Sequence, residues 1–105
     1  MPAAPALFRL LGDDVRLRLL RLLAQERLNV TELTGILGLA QSGVSRHLGL
    51  LKDAALIAEE RDAGFTYFRI APSLREAGNG FGPLWPLLES HFQSVGASAE
   101  GRADD

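Results

Sequence analysis

Cysteine is absent from the 105 residues. That excludes disulfides, thiolate metal ligands, thiol redox switches and cysteine nucleophiles. Long apolar runs are missing too: each uncharged apolar stretch is a few residues, far short of the ~20 a membrane-spanning helix requires. The segment MPAAPALFRLLGDD has no basic stretch ahead of a long apolar one, so neither a signal peptide nor an anchor is expected, and the default compartment is cytoplasmic. Catalytic equipment is also scarce. His47 and His91 lie far apart, and there is no G-x-S-x-G elbow, no Gly-rich phosphate loop and no evident carboxylate pair, so an enzyme is not expected.

Neither charge sign dominates: 11 basic residues stand against 13 acidic ones, a net charge of -2. Residues 96–105 hold Glu100, Asp104 and Asp105 against Arg102, which leaves a neutral body. A polyanionic partner would therefore have to be held by a local patch of cations, because phosphate affinity depends on the Lys and Arg that face it. With 47% apolar and 23% charged residues, the composition is that of one ordinary globular domain. That domain is expected over residues 1–95, with a flexible tail over 96–105.

Helical signals dominate the first half. Residues 3–11 are apolar and helix-compatible, with Gly12 as a stop. Asp13 is placed to cap a second helix to about Glu26, with Val15, Leu19, Leu22 and Leu23 as its apolar stripe and Arg16, Arg18 and Arg21 off it. Asn29 or Thr31 caps a short third helix bearing Leu33, Ile36 and Leu37, closed by Gly38 in a left-handed conformation. After Leu39, Ala40 and Gln41, Ser42 is expected to cap a fourth helix with Val44, Leu48 and Leu51 inward, ending near Ala54.

Two short helices joined by a tight Gly-containing turn form a helix-turn-helix. Residues 56–61 and 65–70 read as strands, with Asp62, Ala63 and Gly64 as a hairpin loop. Pro72 ends the second strand, and residues 77–82 form a Gly-rich joint. A last helix starts at Pro83 or Pro86 and runs to about Val95. The expected order is α-α-α-α-β-β-α, mainly helical with a small β-hairpin: a winged helix-turn-helix.

The segment VRLRLLRLLAQERLNVTELTGILGLAQSGVSRHLGLLKDAALIAEERDAGFTYFRI resembles the winged helix-turn-helix of the ArsR/SmtB family of bacterial transcriptional regulators. Its most specific part is QSGVSRHLGLLKDAALI followed by a hairpin ending YFRI. The resemblance, which covers about residues 7–95, implies a dimeric repressor that occludes a promoter. The residue types agree with it independently. In a helix-turn-helix the first turns of the second helix enter the major groove, and here they carry Gln41, Ser42, Gly43, Ser45, Arg46 and His47. Arg pairs with guanine and Gln with adenine through two hydrogen bonds each, and Ser donates to phosphate oxygens. Gly43, where the family usually has Thr, suits a close backbone approach. For His47 the alternative is a surface or helix-packing role. Arg61 is the candidate wing contact to the minor groove. Tyr67 and Phe68 read as packing residues, and Arg69 as either a phosphate contact or strand surface.

One such module buries too little surface for specific binding, so a homodimer is expected. Phe81, Trp85, Leu88, Phe92 and Val95, spaced 4, 3, 4 and 3 along the last helix, together with Leu7, Leu10 and Leu11, are the candidate interface. The alternative is that this helix packs on its own domain. No metal site and no cofactor are expected. The positions corresponding to the family's thiolate site fall on Asn29 and Thr31. Along the last helix His91 stands without partners, with Ser94 three residues on, Gly78 and Gly80 upstream, and Glu89 diverging at i and i+2. A small-molecule effector is left open. So are two other readings: an N-terminal DNA-binding module of a longer ArsR-methyltransferase fusion, and a winged-helix protein-interaction module.

Overall fold

Helix α2 (Asp14–Gln25) is the element against which the others pack; α1 (Ala4–Leu11), α4 (Gln41–Asp53) and β3 (Phe65–Ile70) all lie on it. A computed structural model describes residues 4–76 and 83–103, with the side chains of the last helix described as far as Val95. The order is α1 (Ala4–Leu11), α2, β1 (Leu28–Asn29), α3 (Val30–Leu37), α4 (Gln41–Asp53), β2 (Ile57–Asp62), β3 (Phe65–Ile70), α5 (Pro72–Arg75) and α6 (Leu84–Ala103). Neighbours on several sides make α2 apolar beyond its expected stripe: Leu20 is as fully buried as Leu19, whereas Val15 and Leu22 are half-buried.

Local caps set most boundaries. The Asp13 carboxylate accepts the Arg16 N–H at 3.1 Å and starts α2. Asn29 starts α3 through a reciprocal pair, its Oδ1 accepting from Glu32 N–H while Glu32 Oε1 accepts from Asn29 N–H. Gly38, at φ 68°, ends α3 in the left-handed region. The expected cap at Ser42 is not the one used. Helix α4 begins two residues earlier than that cap implies, at Gln41, with Ala40 at the cap position and no side chain closing it. A C-terminal Schellman arrangement supports α4 instead. Ala55 N–H donates to the Lys52 carbonyl and Leu56 N–H to the Leu51 carbonyl, with Leu51 and Leu56 both fully buried. That motif forces Ala55 to φ 63°, where glycine is usual.

The sheet has three antiparallel strands in the order β1-β3-β2. Strand β1, absent from the sequence expectation, is two residues long, and its place is set by pairing Leu28 with Phe68 and Asn29 with Tyr67. The hairpin register pairs Asp62 with Phe65, so the loop shortens from the expected three residues to Ala63 and Gly64, both at positive φ (51° and 85°). Two positive φ values match the right-handed twist of the strands. Pro72 both ends β3 and opens the single turn of α5. Helix α6 continues to Ala103, past its expected end near Val95.

The core is built of aliphatic side chains with Phe68, and among the described residues no polar or charged side chain is buried. Full burial of each leucine contributes about 1.5–3 kcal/mol. Two alanines held in the left-handed region each cost about 1–2 kcal/mol. Ala55→Gly and Ala63→Gly are therefore expected to raise stability in urea denaturation by about 0.5–1 kcal/mol each, after the greater freedom of glycine in the unfolded chain.

Candidate nucleic-acid interface

Helix α4 is divided lengthwise by burial. Val44, Leu48 and Leu51 are at most 1% exposed and fix one face against the core. At about 100° per residue, Ser42, Ser45, Arg46 and Gly49 lie away from that face and are exposed, while Gln41, nearly in line with Val44 and Leu48, is exposed because it opens the helix. Among the described residues Arg46 has no hydrogen-bond or ion-pair partner, so its guanidinium is free to meet a ligand. The free N–H groups of the first turn stand at the same end, since the first bond of α4 runs from Val44 N–H to the Ala40 carbonyl.

Glycine is unusually placed here. An added Cβ at Gly35, Gly43 or Gly49 would meet nothing within 4 Å. The fold therefore has no packing reason for these three helical glycines, each costing about 1 kcal/mol of helix propensity relative to alanine. Gly49 lies on the exposed face, in line with Ser42 and Ser45, whereas Gly43 is turned toward its flank. The sequence signal for Gly49 is a glycine inside a polar helix face.

His47 is not free. It is half-buried, with Nδ1 3.4 Å from Arg16 Nη1. The Arg16 side chain, only 16% exposed, also donates through Nε to the Leu10 carbonyl at 2.6 Å and through Nη2 to the Arg9 carbonyl at 3.3 Å, and lies 3.9 Å from the Asp13 carboxylate. One guanidinium thus joins the end of α1, the start of α2 and the DNA-facing candidate helix. No signal in the sequence distinguishes Arg16 from Arg18 or Arg21, because the distinction lies in tertiary position. The Arg16 N–H bond holds the Asp13 carboxyl below its ordinary value. Burial opposes it, and the charges of Arg16 and His47 add to it.

The wing is tied down by acidic residues. Arg27 donates to Glu60 Oε2 at 3.2 Å and to Asp62 Oδ2 at 2.7 Å while its guanidinium sits 4.2 Å from the Tyr67 ring centroid. These bonds push the Arg27 pKa further up. Tyr67 also lies 6.3 Å from Phe65. Lys52 of α4 is held by Glu59 of β2 at 2.9 Å. Arg61 is exposed and, among the described residues, unpaired; it shares a strand face with Glu59, which directs it to the α4 side. Arg69 is half-buried, between the two expected placements, and its Nε is enclosed without a partner.

The expected interface residues separate into two groups. Leu7 and Leu88 are buried in the protomer's own core. Leu10, Leu11, Trp85, Phe92 and Val95 are half-buried, with Trp85 and Phe92 in an edge-on ring pair at 6.3 Å. Phe81 lies outside the described residues. Their exposed neighbours are Phe8 and Leu87, at 71% and 66%. Among the described residues, no group of three or more His, Cys, Asp or Glu side chains is placed to hold a metal ion.

Comparison with known proteins gives concordant matches. Residues 13–59 match the family model described as bacterial regulatory protein, arsR family. The arsenic resistance transcriptional regulator ArsR1 of Pseudomonas putida is 39% identical over 71 residues, covering 67% of this chain and 56% of that protein. The arsenical resistance operon repressor of Escherichia coli K12 is 32% identical over 69 residues, covering 65% of this chain and 59% of that protein. The matched segments thus span little more than half of these relatives' length. The transcriptional repressor BigR of Xylella fastidiosa has the same fold, with a TM-score of 0.69, 24% identity, and 90% of this chain and 84% of that chain covered.

Two substitutions check the local energetics by urea denaturation. Gly49→Ala is expected to stabilise the protein by about 1 kcal/mol. Asp13→Ala is expected to cost about 1 kcal/mol at pH 7. Because the folded state lowers the Asp13 pKa, its contribution is fully present above the ordinary value of 3.8 and is lost as pH falls below that through the folded-state value. The deficit of Asp13→Ala should accordingly be constant from pH 7 to about 5 and shrink below pH 3.8.

Proposed function

We propose, from the match of residues 13–59 to the arsR family of bacterial regulatory proteins, that this chain belongs to that family and is a sequence-specific DNA-binding transcriptional regulator, a homodimeric repressor that occludes a promoter. The observation that carries this reading is the lengthwise division of α4. Its buried face holds the helix in one rotation, and its exposed first turns present Gln41, Ser42, Ser45 and Arg46 together. In the major groove Arg46 supplies two donors to guanine O6 and N7, Gln41 pairs with adenine, and Ser42 with the open first-turn N–H groups meets a phosphate. Gly49 and Gly43 keep side-chain bulk away from the groove floor and the sugar-phosphate backbone. His47, held by Arg16, sets the approach of α4 through α2. Arg61 contributes a single wing contact.

Specific binding calls for two copies of α4 roughly 34–36 Å apart. Helices α1 and α6 supply the apolar surface for pairing. Since Leu7 and Leu88 are already used inside the protomer, and Trp85 and Phe92 face the groove between α2 and α6, Phe8 and Leu87 take their places beside Leu10, Leu11 and Val95 in the two-fold contact. The 105 residues offer no thiolate for a soft metalloid, so any input differs in kind from sulfur-based sensing.

Fluorescence anisotropy of the protein on the DNA upstream of its own coding sequence, beside a scrambled duplex, checks this reading. The upstream DNA is expected to bind more tightly, with affinity falling steeply as salt rises. Arg46→Ala should weaken it about 5- to 150-fold, corresponding to roughly 1–3 kcal/mol. Equal affinity for both duplexes, with no effect of Arg46→Ala, would return the fold to a protein-interaction role.

A further inference from the structure

A second cavity-like site lies away from α4. Between the end of α2, the single turn of α5 and the first turns of α6 is a groove of about 350 Å³, within the range of small-molecule sites. Two guanidiniums line it. Arg75 donates one bond to the Ala24 carbonyl at 2.7 Å and lies 5.0 Å from the Trp85 ring centroid. Arg21 is half-buried and, among the described residues, has no hydrogen-bond or ion-pair partner. The opposite wall is apolar, formed by Trp85, Phe92 and Ala24, and Glu89 stands exposed among the lining side chains.

We propose that this groove binds a small aryl carboxylate, with its ring on Trp85 and Phe92 and its carboxylate between Arg21 and Arg75. Two cations against one exposed carboxylate leave the groove net positive, and a guanidinium left half-buried without a partner is the group that an incoming anion would satisfy. The two rings favour a flat apolar body over an aliphatic one. A free inorganic anion would meet the same arginines but leave the aromatic wall unused. As a binding site the groove stands alone; as a signal input it rests on the regulator reading above. The coupling route is α6, which carries Trp85 and Phe92 toward the ligand and Leu87 toward the proposed partner copy. A ligand that binds one placement of α6 better than another shifts the dimer toward it.

Trp85 is the only tryptophan in the chain, so its emission reports the groove directly and without DNA. Benzoate titrated into the protein is expected to change that emission saturably, with a Kd of about 0.1–1 mM for a ligand of this size. Acetate, which lacks the ring, and benzyl alcohol, which lacks the charge, should each bind at least about tenfold more weakly. Arg21→Gln, whose side chain supports no other contact, should weaken benzoate about tenfold while leaving the circular dichroism unchanged.

No saturable change with benzoate overturns the site, and so does an equal response to benzyl alcohol or an unchanged affinity in Arg21→Gln; the groove then belongs to the packing of two copies. Repeating the DNA anisotropy with benzoate separates the two readings. A shift in DNA affinity in the wild type, absent in Arg21→Gln, supports the input role. An unchanged DNA affinity beside a saturable Trp85 response removes that role and leaves the binding site. Failure of DNA binding itself leaves the Trp85 titration untouched.

Discussion

The face that α4 presents to a partner depends on the burial of Val44, Leu48 and Leu51 against α2, α3 and the sheet. Three aliphatic side chains along one face determine the rotation of α4 about its own axis. A turn of about 100°, the angle between adjacent residues, would replace a reading face of Ser42, Ser45 and Arg46 with a different set. No buried hydrogen bond shares in setting that rotation, since among the described residues the core contains no polar side chain. Shape and volume of aliphatic groups do the specifying, and such packing tolerates little overfilling.

Arg16 is the polar complement to this core. It sits at its edge, where a guanidinium satisfies two backbone carbonyls left open at the end of α1 and also meets His47. The rotation of α4 is thus an apolar matter, while its placement relative to α1 is partly a hydrogen-bonded one. Since α1 is also one of the helices proposed to pair two copies, the bonds of Arg16 connect the pairing surface and the reading surface within a single side chain's reach.

How far the chain could be read in advance follows from the range of each determinant. Asp13, Asn29 and Gly38 are legible because a cap is settled within about four residues, between a side chain or a left-handed backbone and the nearest free N–H or carbonyl. The inward positions of α4 and the two hairpin strands are legible from their periodicity. Strand β1 is not, because two residues carry no pattern and only Phe68 and Tyr67 opposite make them a strand. The start of α4 at Gln41 escapes the rule that favours Ser42, because the Leu51 and Leu56 arrangement at its far end and the core contacts outweigh a missing cap. The hairpin loop is mistaken by one residue for a similar reason: register is decided across strands, and Asp62 is drawn into β2 by pairing with Phe65 and by Arg27. At the candidate site, Gln41, Ser45 and Arg46 follow from motif position. The engagement of His47 and the enclosure of Arg69 arise from residues distant in the chain. Leu7 and Leu88 have the right spacing for a seam but point into their own protomer, a choice that periodicity alone does not make.

The acidic residues of the wing have a consequence for how such a regulator would find its site. Glu59, Glu60 and Asp62 occupy Lys52 and Arg27, so few cations near α4 remain to neutralise phosphates. Affinity for arbitrary DNA, which comes almost wholly from released counterions, is then low. Under the regulator reading proposed above, such a protein would spend little time sliding along unrelated sequence and would explore the chromosome mainly through solution. Its occupancy of a promoter would then be governed by the number of copies in the cell and by the quality of the base contacts.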